Sequence, residues 1–293
     1  MAVDIEGLRL LALAQATGAD FRRTVTIGRQ NYAVAPAELK GLFQGLARRQ
    51  VADDVLGAPA DAYCDSLLKR AFGAETIDSV DASGYEAATI VHDMNQPTQG
   101  AGTYGVVGDF GTLEHIFNLP VALDNVAALC APGGHILHVL PCNNHVGHGF
   151  YQFSPELFFR VYAEGRGFTG TRVFLAPARS TGHWYEVSDP EALGRRVNIT
   201  SRDQLMMLVI TKRTGTPASL VTTSVQQSDY AQRWSDSDKP KPSAPGGFEA
   251  PGKRLRKAFG GVIHAHKMRR KDVTRGSRKD IRRRDVLELI RQP

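Results

Sequence analysis

Residues Gly108–Leu140 read GDFGTLEHIFNLPVALDNVAALCAPGGHILHVL, and this stretch decides the fold class. It opens at the end of a β-branched apolar run, Tyr104–Phe110 (YGVVGDF), which suits a strand. Apolar spacing then predicts a helix over Val121–Cys130, and Pro132-Gly133-Gly134 supplies a stop signal. His135–Leu140 (HILHVL) is a second strand. Both strands are continuous apolar runs rather than alternating ones, which is the pattern of parallel strands covered on both faces by helices.

The alternation continues outward. Upstream, residues 4–18 predict an amphipathic helix and Arg23–Gly28 (RTVTIG) a strand. Ala37–Gln50 and Asp61–Phe72 predict helices, and Ala74–Asp81 and Ala87–His92 strands. Downstream, Ser154 with Pro155 predicts a helix start running to about Ala163, followed by strands at Arg172–Leu175 and Leu205–Thr211. The expected fold class is α/β with a Rossmann-like, seven-stranded, mostly parallel sheet.

After Arg213 the composition changes. Residues 214–252 are rich in Ser, Thr, Gln, Pro and Gly, a linker-like stretch, and Asp285–Arg291 (DVLELIR) predicts a short terminal helix. The expected organisation is therefore a domain over 1–213, with 36–72 as a helical lid insertion, and a linker plus basic extension over 214–293. Of the 36 Lys and Arg residues, 17 fall between Asp238 and Pro293 beside only 6 acidic ones. The net charge of +6 thus hides an acidic body and a basic tail, so the whole-chain charge does not argue that the body binds nucleic acid. The tail, Lys253–Arg284 above all, is expected to be mobile or docked, with contact to an anionic surface its leading functional role. It carries no interleaved aromatics beyond Phe259 and no recognition-helix motif, which argues against nucleic acid as partner. No uninterrupted apolar stretch reaches transmembrane length, no signal-peptide start is present, and the three cysteines lack metal or disulfide spacing, so a cytoplasmic setting is expected.

In an open parallel sheet, ligands bind beyond the carboxyl ends of the strands. The residues at those ends are Gly28, Arg29 and Gln30; Asp81; His92 and Asp93; Asp109, Gly111, Glu114 and His115; and Asn143, Asn144, His145 and His148. A carboxylate after the second strand can accept two bonds from ribose hydroxyls, and one after the third can receive an exocyclic amine. Asp93 and Asn95 equally suit an Asx turn before Pro97. His145 and His148 suit a general base, since an imidazole titrates near neutrality. A structural Gly-His-Gly turn explains them as well. Tyr151 and Gln152 are candidate substrate contacts; Phe150, Phe153, Phe158 and Phe159 are expected in the core, as are His135 and His138. No cysteine or carboxylate pair at ligand spacing accompanies the histidines, so no metal site is expected.

The segment Leu113-Glu114-His115-Ile116, a helix, and Pro132-Gly133-Gly134 before an apolar strand together resemble the fourth-to-fifth-strand stretch of class I S-adenosylmethionine-dependent methyltransferases. The resemblance covers about residues 20–213 and implies that the last strand is antiparallel. It implies S-adenosylmethionine as cofactor, held by Gly28, Arg29, Gln30, Asp81, His92, Asp93, Asp109, Gly111 and Glu114. His145, His148 or His115 would act as base, and Asn143, Asn144, Tyr151 and Gln152 would face the acceptor. Asn143–Phe159 (NNHVGHGFYQFSPELFF), with Thr26–Gln30 (TIGRQ) and His92-Asp93 and Asn95, is similar to a subgroup tied to surface-glycan biosynthesis. That implies a hydroxyl of a sugar or glycan precursor as acceptor. The departure is the loop Gly28-Arg29-Gln30-Asn31-Tyr32, with one glycine where the family has several. This loop motivates the alternative, a non-catalytic binding protein of the same fold with the tail as docking element.

Overall fold

The computed structural model describes residues 2–57, 62–98, 103–178, 181–237 and 274–293. Its centre is a nine-stranded sheet. In chain order the strands are β1 (Arg23–Ile27), β2 (Thr76–Asp81), β3 (Ile90–Val91), β4 (Tyr104–Phe110), β5 (Cys130–Asn143), β6 (Phe168–Pro177), β7 (His183–Val187), β8 (Leu205–Arg213) and β9 (Ile281–Asp285). Across the sheet they lie β9-β7-β6-β8-β5-β4-β1-β2-β3. The block β3-β2-β1-β4-β5 is parallel throughout. Strand β8 is inserted antiparallel between β5 and β6, and β7 and β9 continue antiparallel to the edge. All seven expected strands occur, the last antiparallel as the resemblance implies; β7 and β9 are additions. This is a Rossmann-like α/β fold.

Side chains alternate across the sheet into two core layers, as the pleat requires. Val106, Leu137, Val139, Leu208 and Ile210 pack toward α1 (Ile5–Ala16), α2 (Pro36–Gly45), α3 (Arg49–Leu56) and α4 (Asp65–Phe72). Val107, Ile136, Leu140, Met207 and Val209 pack toward α5 (Leu119–Leu129) and α6 (Pro155–Val161). Helix α1 is capped by Asp4, whose Oδ1 accepts from the Gly7 amide at 2.9 Å.

Several boundaries differ from the expectation for local reasons. The helix expected over 37–50 is two helices, α2 and α3, because the chain turns at Ala47 with φ 57°. The α5 helix ends at Leu129, and Cys130 already pairs with Tyr104, so Pro132-Gly133-Gly134 forms an irregularity inside β5 rather than the helix stop. Strand β3 is reduced to two residues on the sheet edge. Ser154 sits at the N-cap of α6 without making a side-chain cap bond.

The end of the chain returns to the body. Strand β9 pairs with β7 from Ile281↔Val187 to Asp285↔His183. It leads into α7 (Val286–Arg291), which packs on α1. Two ion pairs hold this return: Arg284 Nε to Glu186 Oε2 at 2.6 Å and Arg195 to Asp280 at 2.7 Å. The 214–237 stretch is also tied down, with the Asp124 carboxylate accepting from Ser219 Oγ at 2.6 Å and from the Leu220 amide at 2.8 Å. The remainder of the expected basic patch, up to residue 273, lies outside the described residues. Among the described residues, no helix is long and apolar enough to cross a membrane.

Candidate active site

The carboxyl ends of β1, β2, β4 and β5 lie side by side, as the parallel register dictates. At the end of β1, Gly28 adopts φ 73°, a conformation a side chain disfavours, and its amide donates to the Val80 carbonyl at 2.6 Å. The next two residues turn away from the mouth. The Arg29 guanidinium donates to the Ala87 carbonyl at 2.8 Å and Asp65 at 3.2 Å, and stacks on Tyr63 with 4.4 Å to the ring centre. Gln30 is buried under the turn, its Nε2 donating to the Ile27 carbonyl at 2.7 Å and to Thr112 Oγ1 at 3.3 Å. Its Oε1 is buried without a partner. So the loop's bulky residues fold beneath and beside it instead of obstructing the approach.

Asp81, at the end of β2, is half-buried, with one long contact from the Ser83 amide at 3.4 Å. Its carboxylate therefore keeps free accepting capacity. Asp93 is exposed and closes an Asx turn, accepting from the Asn95 amide at 2.9 Å and the Asn95 side chain at 2.8 Å; these bonds hold its carboxyl below the usual range. His92 bonds the Gln96 carbonyl at 3.0 Å on the same exposed loop.

The end of β4 holds two carboxylates with opposite fates. Asp109 is fully buried. Its Oδ2 meets His138 Nδ1 at 2.9 Å, and His138 Nε2 meets the Tyr162 hydroxyl at 2.7 Å. Its Oδ1 accepts the Thr112 amide at 3.0 Å, at the start of the short 3₁₀ turn Leu113–His115. Asp109, expected against a cofactor, faces the core and shapes the turn that carries the next carboxylate. His138 is the core residue expected, as is His135, also buried.

Glu114 is the second carboxylate. Its side chain is 1% exposed, its Oε2 has no hydrogen-bond partner among the described residues, and its Oε1 lies 3.4 Å from His148 Nε2 and 3.9 Å from His115 Nε2. Burial first, and the Asp109 charge second, push its carboxyl up to about 8. His115 and His148 are 46% and 55% exposed. Gly149 permits this meeting. With φ 70°, a Cβ there would stand 2.7 Å from the Glu114 carbonyl oxygen, and the neighbouring Phe150 amide donates to that same oxygen at 2.7 Å. Gly111, at φ 88°, turns the chain between the two carboxylates.

His145 joins the group with its ring 6.1 Å from that of His148. Its Nε2 bonds the Leu205 carbonyl at 3.2 Å, which makes Nε2 the protonated nitrogen and leaves Nδ1 as acceptor; burial lowers its basicity. Its partners Gln152 and Leu205 line a recess of about 390 Å³, together with Cys142, Asn143, Phe153, Leu175 and Val197.

The four residues expected to face the acceptor each make a bond that braces the loop. The Asn143 and Asn144 amides donate to the Asp203 carbonyl at 3.0 and 2.9 Å. Gln152 Oε1 accepts from the His145 amide at 2.8 Å, and the Tyr151 hydroxyl donates to the Phe117 carbonyl at 2.6 Å. Phe150, expected in the core, is 64% exposed and stacks edge-on with Phe117, itself 71% exposed. Together they form an apolar rim that no pattern in the sequence marks. Phe153, Phe158 and Phe159 are buried as expected.

The family profile described as "Methyltransferase domain" matches residues 56–209, more than half of the chain. The chain belongs to the methyltransferase domain family. The match begins inside α3, beyond β1 and the single-glycine turn. Solved structures of similar fold include the N-methyltransferase NodS from Bradyrhizobium japonicum, at 12% identity, covering 71% of this chain and 96% of that one, TM-score 0.37. Another is the 1,6-didemethyltoxoflavin-N1-methyltransferase from Burkholderia thailandensis, at 14% identity, covering 72% and 78%, TM-score 0.38. No curated protein matches the sequence significantly.

Proposed function

We propose that this methyltransferase-family chain is an S-adenosylmethionine-dependent enzyme that methylates a hydroxyl of a small acceptor, a sugar or glycan precursor by the sequence resemblance. The observation that carries the reading is the gathering of His115, His145 and His148 at the carboxyl ends of β4 and β5, on the same edge of the parallel block as Asp81 at the end of β2. The residues fit the cofactor: Asp81 has accepting capacity for ribose hydroxyls, Gly28 gives a close-approach turn, and Arg29 and Gln30 are folded out of the way. The cofactor, when bound, supplies a methyl group activated on sulfonium.

The chain's own work is to position the acceptor and remove its proton. His145 suits the base role. Its Nε2–H is spent on the Leu205 carbonyl, so Nδ1 can accept a proton, and its lowered basicity keeps it neutral near pH 7. The recess beside it accommodates a small acceptor, and the faces of Phe117 and Phe150 can pack against a sugar ring.

The test is to incubate the protein with methyl-labelled S-adenosylmethionine and panels of hydroxyl- and amine-bearing sugars and small phenols. Label in a hydroxyl product, reduced about 10²–10⁴-fold in His145→Ala, is the expected result. Label only in amine products overturns the hydroxyl assignment. Full turnover in His145→Ala overturns the base.

A further inference from the structure

Glu114, His115 and His148 are three potential ligands whose donor atoms all lie within 4.8 Å of one another. Two features separate them from an incidental surface cluster. Glu114 is 1% exposed, yet Oε2 is orphaned and Oε1 is directed at both imidazoles. A buried carboxyl with no partner for one oxygen is costly unless something satisfies it. The two histidines come from separate loops, and Gly149 is needed to bring the second down onto the first.

The spacing approaches that of a coordination sphere. Imidazole nitrogen and carboxylate oxygen bind zinc at about 2.0–2.2 Å, so neighbouring ligand atoms of a tetrahedron stand about 3.4 Å apart. The His148–Glu114 separation is 3.4 Å and the His115–Glu114 separation 3.9 Å.

We propose that Glu114, His115 and His148 bind one first-row divalent transition-metal ion, zinc, iron(II) or cobalt(II), in a two-histidine, one-carboxylate site. Two imidazoles select these ions over magnesium or calcium, which prefer all-oxygen shells. Three protein ligands leave coordination positions open, and the half-exposed rings place them toward solvent at the acceptor side. An acceptor hydroxyl bound there would be acidified by the cation and would give its proton more readily to the base, His145 Nδ1. That last step rests on the methyltransferase reading; the cation site itself does not.

The direct experiment titrates the metal-free full chain with Co²⁺, followed by visible d–d absorption, and with Zn²⁺ by calorimetry. Expected is one equivalent bound. Affinity should fall in Glu114→Gln, His115→Ala and His148→Ala by more than the roughly 10–100-fold that losing even an outer-shell partner costs. His183→Ala, on β7 and away from the cluster, should leave binding unchanged. His148 is exposed, so its variant stays folded and informative if Glu114→Gln does not fold. No saturable binding, or binding insensitive to both His115→Ala and His148→Ala, overturns the proposal. Titration with S-adenosylhomocysteine in parallel separates the two readings. Cofactor binding without metal binding overturns only the metal site. Metal binding without cofactor binding supports the cation site and removes the enzyme assignment.

Discussion

The ends of β4 and β5 carry two carboxylate–imidazole arrangements that share a few residues of chain but not an environment. Asp109, His138 and Tyr162 form a closed chain of hydrogen bonds with Asp109 and His138 wholly out of solvent. Glu114, His115 and His148 form an open one, with a buried carboxylate unsatisfied on one side and exposed imidazoles on the other. The first has every functional atom paired, and what it can do is hold the fold. The second has spare valence facing a reachable mouth, and this is where ligand chemistry can occur. Residue type does not separate these cases; satisfaction and access do.

Breaking the closed arrangement should cost the most stability. His138→Ala leaves Asp109 buried beside an unpaired Tyr162 hydroxyl and should destabilise by about 3–5 kcal/mol, read by denaturant unfolding. A cost under 1 kcal/mol would mean that the site takes in water and is not closed.

His135, on the same strand, adds a pH dependence. Burial, with Lys212 nearby, holds its imidazole down to about 4, and its Nδ1 is buried without a partner. The folded state refuses a proton that the unfolded chain accepts below about 6.5. Stability is therefore intact above 6.5 and is lost as pH falls toward 4, by up to about 3 kcal/mol from this group. His135→Leu should flatten that part of the stability curve; an unchanged slope would assign it elsewhere.

Tyr162→Phe removes one neutral donor and should cost about 0.5–1.5 kcal/mol. His148→Ala, in the open arrangement, should change metal-free stability by no more than about 0.5 kcal/mol, the range for surface substitutions away from structural networks. Melting curves of the two variants side by side sharpen the contrast, and equal losses would erase it.

Much of the architecture was legible because it is local. Gly108–Leu140 reads as strand, helix and strand from apolar runs alone, and the buried places of His135 and His138 follow from lying inside such a run. The Asx turn at Asp93 is a short-range property of Asp, Asn and Pro. What escaped is non-local. Strand β9 (IRRRD) is a polar edge strand that hid inside a charge run read as a tail, and β7 (HWYEV) is a short run whose buried Trp184 and Val187 are separated by polar positions. Its arginines are explained only by their partners, as Arg284 is by Glu186 across the ladder. The meeting of His148 with Glu114 is likewise invisible in spacing, because parallel register brings the ends of β4 and β5 together and Gly149 lowers one loop onto the other. Asn143, Asn144, Tyr151 and Gln152 lie where substrate contacts were expected, and each also commits one polar atom to neighbouring backbone, which composition does not reveal.

The central claim is that the open end of the parallel block holds S-adenosylmethionine despite its single glycine. Calorimetric titration of the full chain and of Asp81→Ala with S-adenosylhomocysteine tests it most directly. The account predicts saturable one-to-one binding in the native chain. Binding should weaken by about 1.5–3 kcal/mol in the variant, the worth of hydrogen bonds to a charged acceptor. Absence of binding to the native chain, with and without the divalent ion and a hydroxyl acceptor, would contradict it and leave a methyltransferase fold used for binding alone.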